Sequence, residues 1–121
     1  MPVRVAFVHT ALVEVGPGAD VAAPGAAITL ALCGSWEHVP PCPLAAHHTG
    51  VEELGDQVRL RILFAAEPAD ELEVRDRITK ALAAGVVTRP DGSTSEWALI
   101  STGAASVEPS EETHAVRLAR G

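Results

Sequence analysis

Aromatic side chains are nearly missing from this chain, which has two Phe, two Trp and no Tyr among 121 residues. A core without them has to be filled by Val, Leu, Ile and Ala, whose small volumes favour thin, closely packed layers. Lysine is scarce as well, one against eight arginines. With abundant Ala, Gly and Val, that ratio looks like the codon bias of a GC-rich bacterial genome, a hint about source that says nothing about function. Basic charge is short overall: the formal net charge is −7 and the arginines are scattered. The basic stripe that a phosphate backbone requires is missing, which argues against nucleic acid as a partner.

No run approaches the roughly 18–20 apolar residues of a membrane span, so no membrane is expected. The opening MPVRVAFVHTALVEV is interrupted by His9, Thr10 and Glu14, and no small-residue cleavage site follows it. It therefore reads as a strand rather than a signal segment. Disulfide chemistry has little material, because the two cysteines, Cys33 and Cys42, lie nine positions apart. In the reducing cytoplasm, the expected compartment, such a pair is free, catalytic or metal-bound.

Hydrophobic residues make up 47% and charged residues 21%, a globular balance too apolar for disorder. The length suits a single domain over residues 1–121, long enough to bury one core. Residues 3 to 15 alternate as a strand whose two faces are both apolar, one carrying Phe7, His9 and Ala11, the other Ala6 and Val8. Gly16, Pro17, Gly18, Pro24 and Gly25 then break the pattern. No helical run is evident after them, so they are read as a plain loop rather than a nucleotide loop. Ala26 to Cys33 alternates Ile28, Leu30 and Leu32 and is expected to be a second strand.

Residues 34–57 show no strong strand signal and are expected to form a long functional loop, a length uncommon in compact domains unless it carries a function. Val58 to Ala66 is the clearest strand. Asp70 and Glu73 make a capping box, and Leu72, Val74, Ile78 and Leu82 form the stripe of a helix that stops at Gly85. Glu71 with Arg75 and Glu73 with Arg77 belong to its solvated face. Val86 and Val87 could begin a further strand outside the count of five, Ser95 to Thr102 form the fourth with Trp97 in the core, and Gly103 to Glu111 is a polar loop. His114, Val116 and Leu118 alternate as a last strand.

The resulting expectation is an α+β domain with a mainly antiparallel five-stranded sheet and one principal helix, ferredoxin-like or related. One helix leaves a sheet face short of cover at Ala6 and Val8, which predicts a homodimer through that face.

Chemistry concentrates in Cys33–Gly50, CGSWEHVPPCPLAAHHTG. Cys33, His38, Cys42, His47 and His48 put five sulfur and nitrogen donors within 16 positions, the ligand types zinc prefers. The Cys-x8-Cys spacing lacks the tight knuckle of common zinc modules. Neighbouring His47 and His48 point oppositely in an extended segment, so one of them is expected to ligate. A structural site would use four of these ligands. A catalytic one would use three, with Glu37 taking a proton from metal-bound water.

A second reading makes Cys42 or Cys33 a nucleophile activated by His38 or one of the paired histidines and oriented by Glu37. A third is metal-free: Trp36, Glu37 and the histidines line a small-molecule pocket that His9 and His114 reach if their strands are neighbours. The plain alternative is a proline-stiffened loop with buried cysteines, and an accessory docking loop is the remaining one. For His9 and His114 individually, a hydrogen-bonded structural histidine is the ordinary expectation.

Overall fold

Strand β1 (Val5–Val15) runs through the middle of the sheet, the position its two-sided apolar pattern demands. In the computed structural model, which describes residues 4–16, 19–33 and 45–120, β1 pairs antiparallel with β3 (Gln57–Ala66) on one side and β5 (Thr94–Ala105) on the other. β2 (Ala46–Leu54) lies outside β3, and the short β4 (Val86–Thr88) lies outside β5. The order is β2-β3-β1-β5-β4, antiparallel at every pairing.

Three helices accompany the sheet: α1 (Ala23–Cys33), α2 (Glu71–Ala84) and α3 (Glu112–Arg120). α1 and α2 cover one face, where Ile28, Val74, Ile78 and Leu82 close over Val13, Leu60, Ile62 and Phe64 in the main core. α3 covers part of the other face, setting Ala115 and Leu118 against Ala6, Val8 and Leu63. The mixed helix and sheet architecture and an antiparallel sheet of five strands are as the sequence suggests, but the strands are not the same five, there are three helices rather than one, and three segments differ from their expected state.

Ala26 to Cys33 is helix, not strand. Ile28, Leu30 and Leu32 alternate, yet the buried Ala23, Ala27, Ile28 and Leu32 also recur at helical spacing. Over so short an apolar run the two periods cannot be separated. The start decides it, because Asp20 Oδ1 accepts the Ala22 amide at 2.9 Å and Pro24 sits in the first turn, where its missing N–H costs nothing. A helix therefore begins inside the Gly16–Gly25 stretch, at Ala23, and a missing helix is no ground for dismissing a nucleotide loop there. The carboxylate at the helix start still makes that end unsuited to phosphate.

Residues 46–54, expected to be loop, form β2. Its signal is weak because Gly50 interrupts it and its C-terminal half is exposed. The telling sign is Gly55-Asp56, a two-residue hairpin turn between Leu54 and Gln57, with Gly55 at φ +75°, a conformation that glycine adopts without strain.

His114 to Leu118, expected to be a strand, lies in α3. A 3-10 turn, Pro109–Glu111, leads into the helix, with Glu108 and Glu111 reciprocally capping backbone amides. A Glu at the cap position is not the Ser or Thr that marks a capping box in a sequence.

The principal helix is as expected apart from its start. A 3-10 turn, Pro68–Asp70, precedes α2, and Asp70 makes no side-chain cap bond. Its end is strict: Gly85 has φ +69°, and a Cβ there would fall 2.6 Å from the Trp97 carbonyl oxygen. Trp97 is core, as expected, with Nε1 donating to the Leu82 carbonyl at 2.9 Å.

β5 carries one irregularity. Val13 faces Leu99 while Leu12 faces Ser101, so Ile100 is an extra residue in the ladder. The result is a bulge that leaves Ile100 exposed.

Candidate functional site

The alternation of β2 separates the two adjacent histidines. His47 lies opposite Phe64 and His48 opposite Leu63, so His47 faces the α1 and α2 layer and His48 faces α3. Both ring nitrogens of His47 have oxygen neighbours, Thr29 Oγ1 on α1 at 3.2 Å and the Ala45 carbonyl at 3.3 Å. His48 is exposed. Its ring meets His114 from α3, with centroids 4.8 Å apart and planes tilted by 52°. Two imidazoles distant in the chain thus converge where β2 begins. The juxtaposition needs α3 to be a helix, so a strand over those residues hides it.

α3 is held in place by charge. Arg61, on the same face of β3, donates from Nε and Nη2 to both carboxylate oxygens of Glu111 at 2.7 and 2.8 Å, and Nη2 also reaches the Ser106 carbonyl. Those bonds from Arg61 hold the Glu111 carboxyl below its ordinary range. Arg59 pairs with Glu52 at 2.9 Å, fully on the surface.

His9 belongs to the opposite face and is the one buried polar or charged side chain among the described residues. Arg75 donates to its Nδ1 at 3.0 Å, to the Val8 carbonyl and to Glu71. The guanidinium lies over the rings of Phe7 and Phe64, 5.8 and 5.3 Å from their centroids, where cation–π attraction adds to the hydrogen bonds. Only 13% of the Arg75 side chain is exposed, so it is not part of a solvated helix face. Arg77, paired with Glu73 at 3.3 Å, is.

These contacts determine the protons. Thr102 Oγ1 donates to the Thr10 carbonyl at 2.9 Å, so at 2.8 Å from His9 Nε2 it accepts, and Nε2 carries the hydrogen. Arg75 can only donate, so Nδ1 presents its lone pair. His9 is a neutral imidazole in the Nε2–H form, and burial, with the Arg75 charge second, pushes its pKa from 6.5 down to about 4. Arg75 and Thr102 carry no mark of this role in the sequence beyond the Glu71–Arg75 spacing.

His9 and His114 consequently lie on opposite sides of the sheet and share no pocket. Trp36, Glu37, His38 and Cys42 lie outside the described residues, and so does the thiol of Cys33, whose backbone closes α1. Among the described residues no three His, Cys, Asp or Glu side chains are grouped to hold a metal ion. None of the helices among the described residues is long and apolar enough to cross a membrane. An open cleft of about 1350 Å³ sits at the Val15 end of β1, lined by Glu14, Asp20, Asp56 and Glu96 together with Arg89, which pairs with Asp20. Compared with family models, curated proteins and solved structures, the chain finds no match in any of the three.

Proposed function

We propose that this chain is a small transition-metal-binding protein whose donors come from the Cys33–Gly50 stretch and from α3. The observation that carries the reading is the His48–His114 pair, two imidazoles 4.8 Å apart on a face open to solvent. His48 stands at the end of the segment that also contains Cys33, His38 and Cys42. Thiolate and imidazole donors together suit zinc. In this reading His114 joins the ligand set and His47, with oxygen neighbours at both nitrogens, leaves it. Glu37 is the carboxylate that would take a proton from metal-bound water if the site is catalytic. A reducing, cytoplasmic setting that keeps Cys33 and Cys42 as thiols belongs to the same reading.

The topology also supports a ferredoxin-like kinship, since β1, α1, β2, β3, α2 and β5 follow one another with β1 between β3 and β5 and β2 at the edge.

Elemental analysis of the purified chain before and after chelation, with a thiol titration, tests the proposal. The expected result is near-stoichiometric zinc that protects the thiols until it is removed. His48→Ala and His114→Ala should each lower occupancy about tenfold, in line with the loss of a ligand or its support. A metal-free chain with two freely reactive thiols would overturn the proposal.

A further inference from the structure

Among the described residues β2 is the edge of the sheet, and it lacks two of the devices that keep an edge from pairing. Its ladder with β3 runs unbroken from Ala46–Ala65 to Leu54–Gln57, so no bulge twists it away. Ala46–Leu54 contains neither proline nor lysine, the residues that most often blunt an edge. An extended edge of this kind accepts another strand through its backbone.

The sequence of the edge complements itself. β2 has nine residues with Gly50 at its centre. Laid antiparallel on a second copy with Gly50 opposite Gly50, it sets Thr49 against Val51, His48 against Glu52, His47 against Glu53 and Ala46 against Leu54. Thr49 with Val51 is then a β-branched pair, His48 with Glu52 an imidazole–carboxylate pair and Ala46 with Leu54 an apolar pair, the combinations that stabilise facing positions, while His47 stays turned to Thr29 and the Ala45 carbonyl. Val51 and Leu54, 43% and 40% exposed, would gain cover. Glu52 meets Arg59 through Oε1, so its other oxygen is the one toward an incoming imidazole.

We infer that the chain self-associates through β2, forming a two-fold dimer with a continuous ten-stranded sheet centred on Gly50. The occupant is a second copy because the strand is complementary to itself about that residue, histidine facing glutamate and apolar facing apolar. This interface is distinct from the sheet face on which α3 packs, and the inference does not depend on metal.

Gly50→Cys tests the register in the full chain. A Cβ at Gly50 has its nearest neighbour, the Arg61 carbonyl oxygen, at an ordinary 3.7 Å, so the variant should fold. Directly opposed residues in an antiparallel pair have Cα atoms about 4.5–5.5 Å apart, within disulfide reach. Mild oxidation should therefore give a covalent dimer in which peptide mapping finds the two introduced thiols joined to each other. Leu54→Cys, which faces Ala46, should not link to itself. Glu52→Lys should weaken dimerisation in sedimentation equilibrium about tenfold, since it removes the favourable pair with His48 twice per dimer. A monomeric mass for the parent at about 100 µM, a concentration suited to a small interface, would overturn the inference. So would a dimer in which the Gly50→Cys variant does not cross-link and Glu52→Lys leaves the association unchanged.

Discussion

The two faces of the sheet are held to their helices by different forces. On the α1 and α2 side, Ile28, Leu60, Ile62, Phe64, Ile78 and Leu82 are all fully buried, and the one buried polar or charged residue among those described is a neutral histidine with a donor and an acceptor. On the α3 side the apolar contact is small, built on Val8, Leu63 and Ala115, and a bidentate arginine–carboxylate pair does much of the holding. A recess of about 390 Å³ lies between β1, β3 and β5 at Thr10, Leu12, Arg59 and Ser101. Most of the buried apolar surface therefore lies on one face, and the His48–His114 ring contact lies on the other. A binding site is easier to build where the backbone can yield without unfolding the core.

Truncation on each side should expose this difference most strongly. Phe64→Ala removes a fully buried ring that also carries Arg75, and a loss of about 3–5 kcal/mol is expected. Leu118→Ala, at the partly exposed end of α3, should cost about 1 kcal/mol. Urea titration of both variants measures the contrast, and comparable losses would erase it.

Acid should act on the two faces in separate windows. In the unfolded chain an imidazole takes its proton near 6.5, whereas His9 in the fold takes it only near 4. Between those values the unfolded state binds the extra proton, so stability falls as pH drops from 6.5 toward 4. The loss amounts to about 3 kcal/mol at about 1.4 kcal/mol per pKa unit. His9→Gln, which cannot titrate, should flatten the slope, and a parent stability that stays constant from about pH 7 to about pH 4.5 would contradict the neutral, buried imidazole. Glu111, held below its ordinary 4.5 chiefly by hydrogen bonds from Arg61, contributes above that value and is lost only in more acid solution.

Arg61→Gln should have the smallest global effect, about 1 kcal/mol for a partly exposed charged pair. Its local effect should be larger, with amide exchange in residues 112–120 rising severalfold while β1 and β3 stay protected. Uniform exchange across both faces would mean that α3 is as firmly built in as α2.

The parts of the fold legible in the sequence are those where one period has no rival. Val58–Ala66 alternates between a core face and a charged face, and the α2 stripe ends at a glycine that no other residue replaces. α1 and α3 are not legible because AITLALC and HAVRL satisfy two periods over a few residues, and the features that decide, Asp20 and Glu108, lie outside those runs. β2 is hidden because an edge strand needs to bury little, which leaves its pattern polar and weak. The site is legible as a collection of donor types around Cys33–Gly50. His114 as a neighbour of His48 is not, because that contact exists only once a helix crosses the far face of the sheet.

The extra residue in β5 has a consequence for how this chain tolerates change in length. Before Ile100 the odd-numbered residues Trp97 and Leu99 face the main core, and after it the even-numbered Thr102 and Ala104 do. The strand is two half-strands of opposite phase, and Ile100 is the phase shift between them. Deleting it without changing any other residue would set Thr102 or Trp97 on the wrong side, so either His9 would lose its acceptor or the core its indole. A one-residue gap, harmless in most surface loops, is at this exposed position a change to the interior.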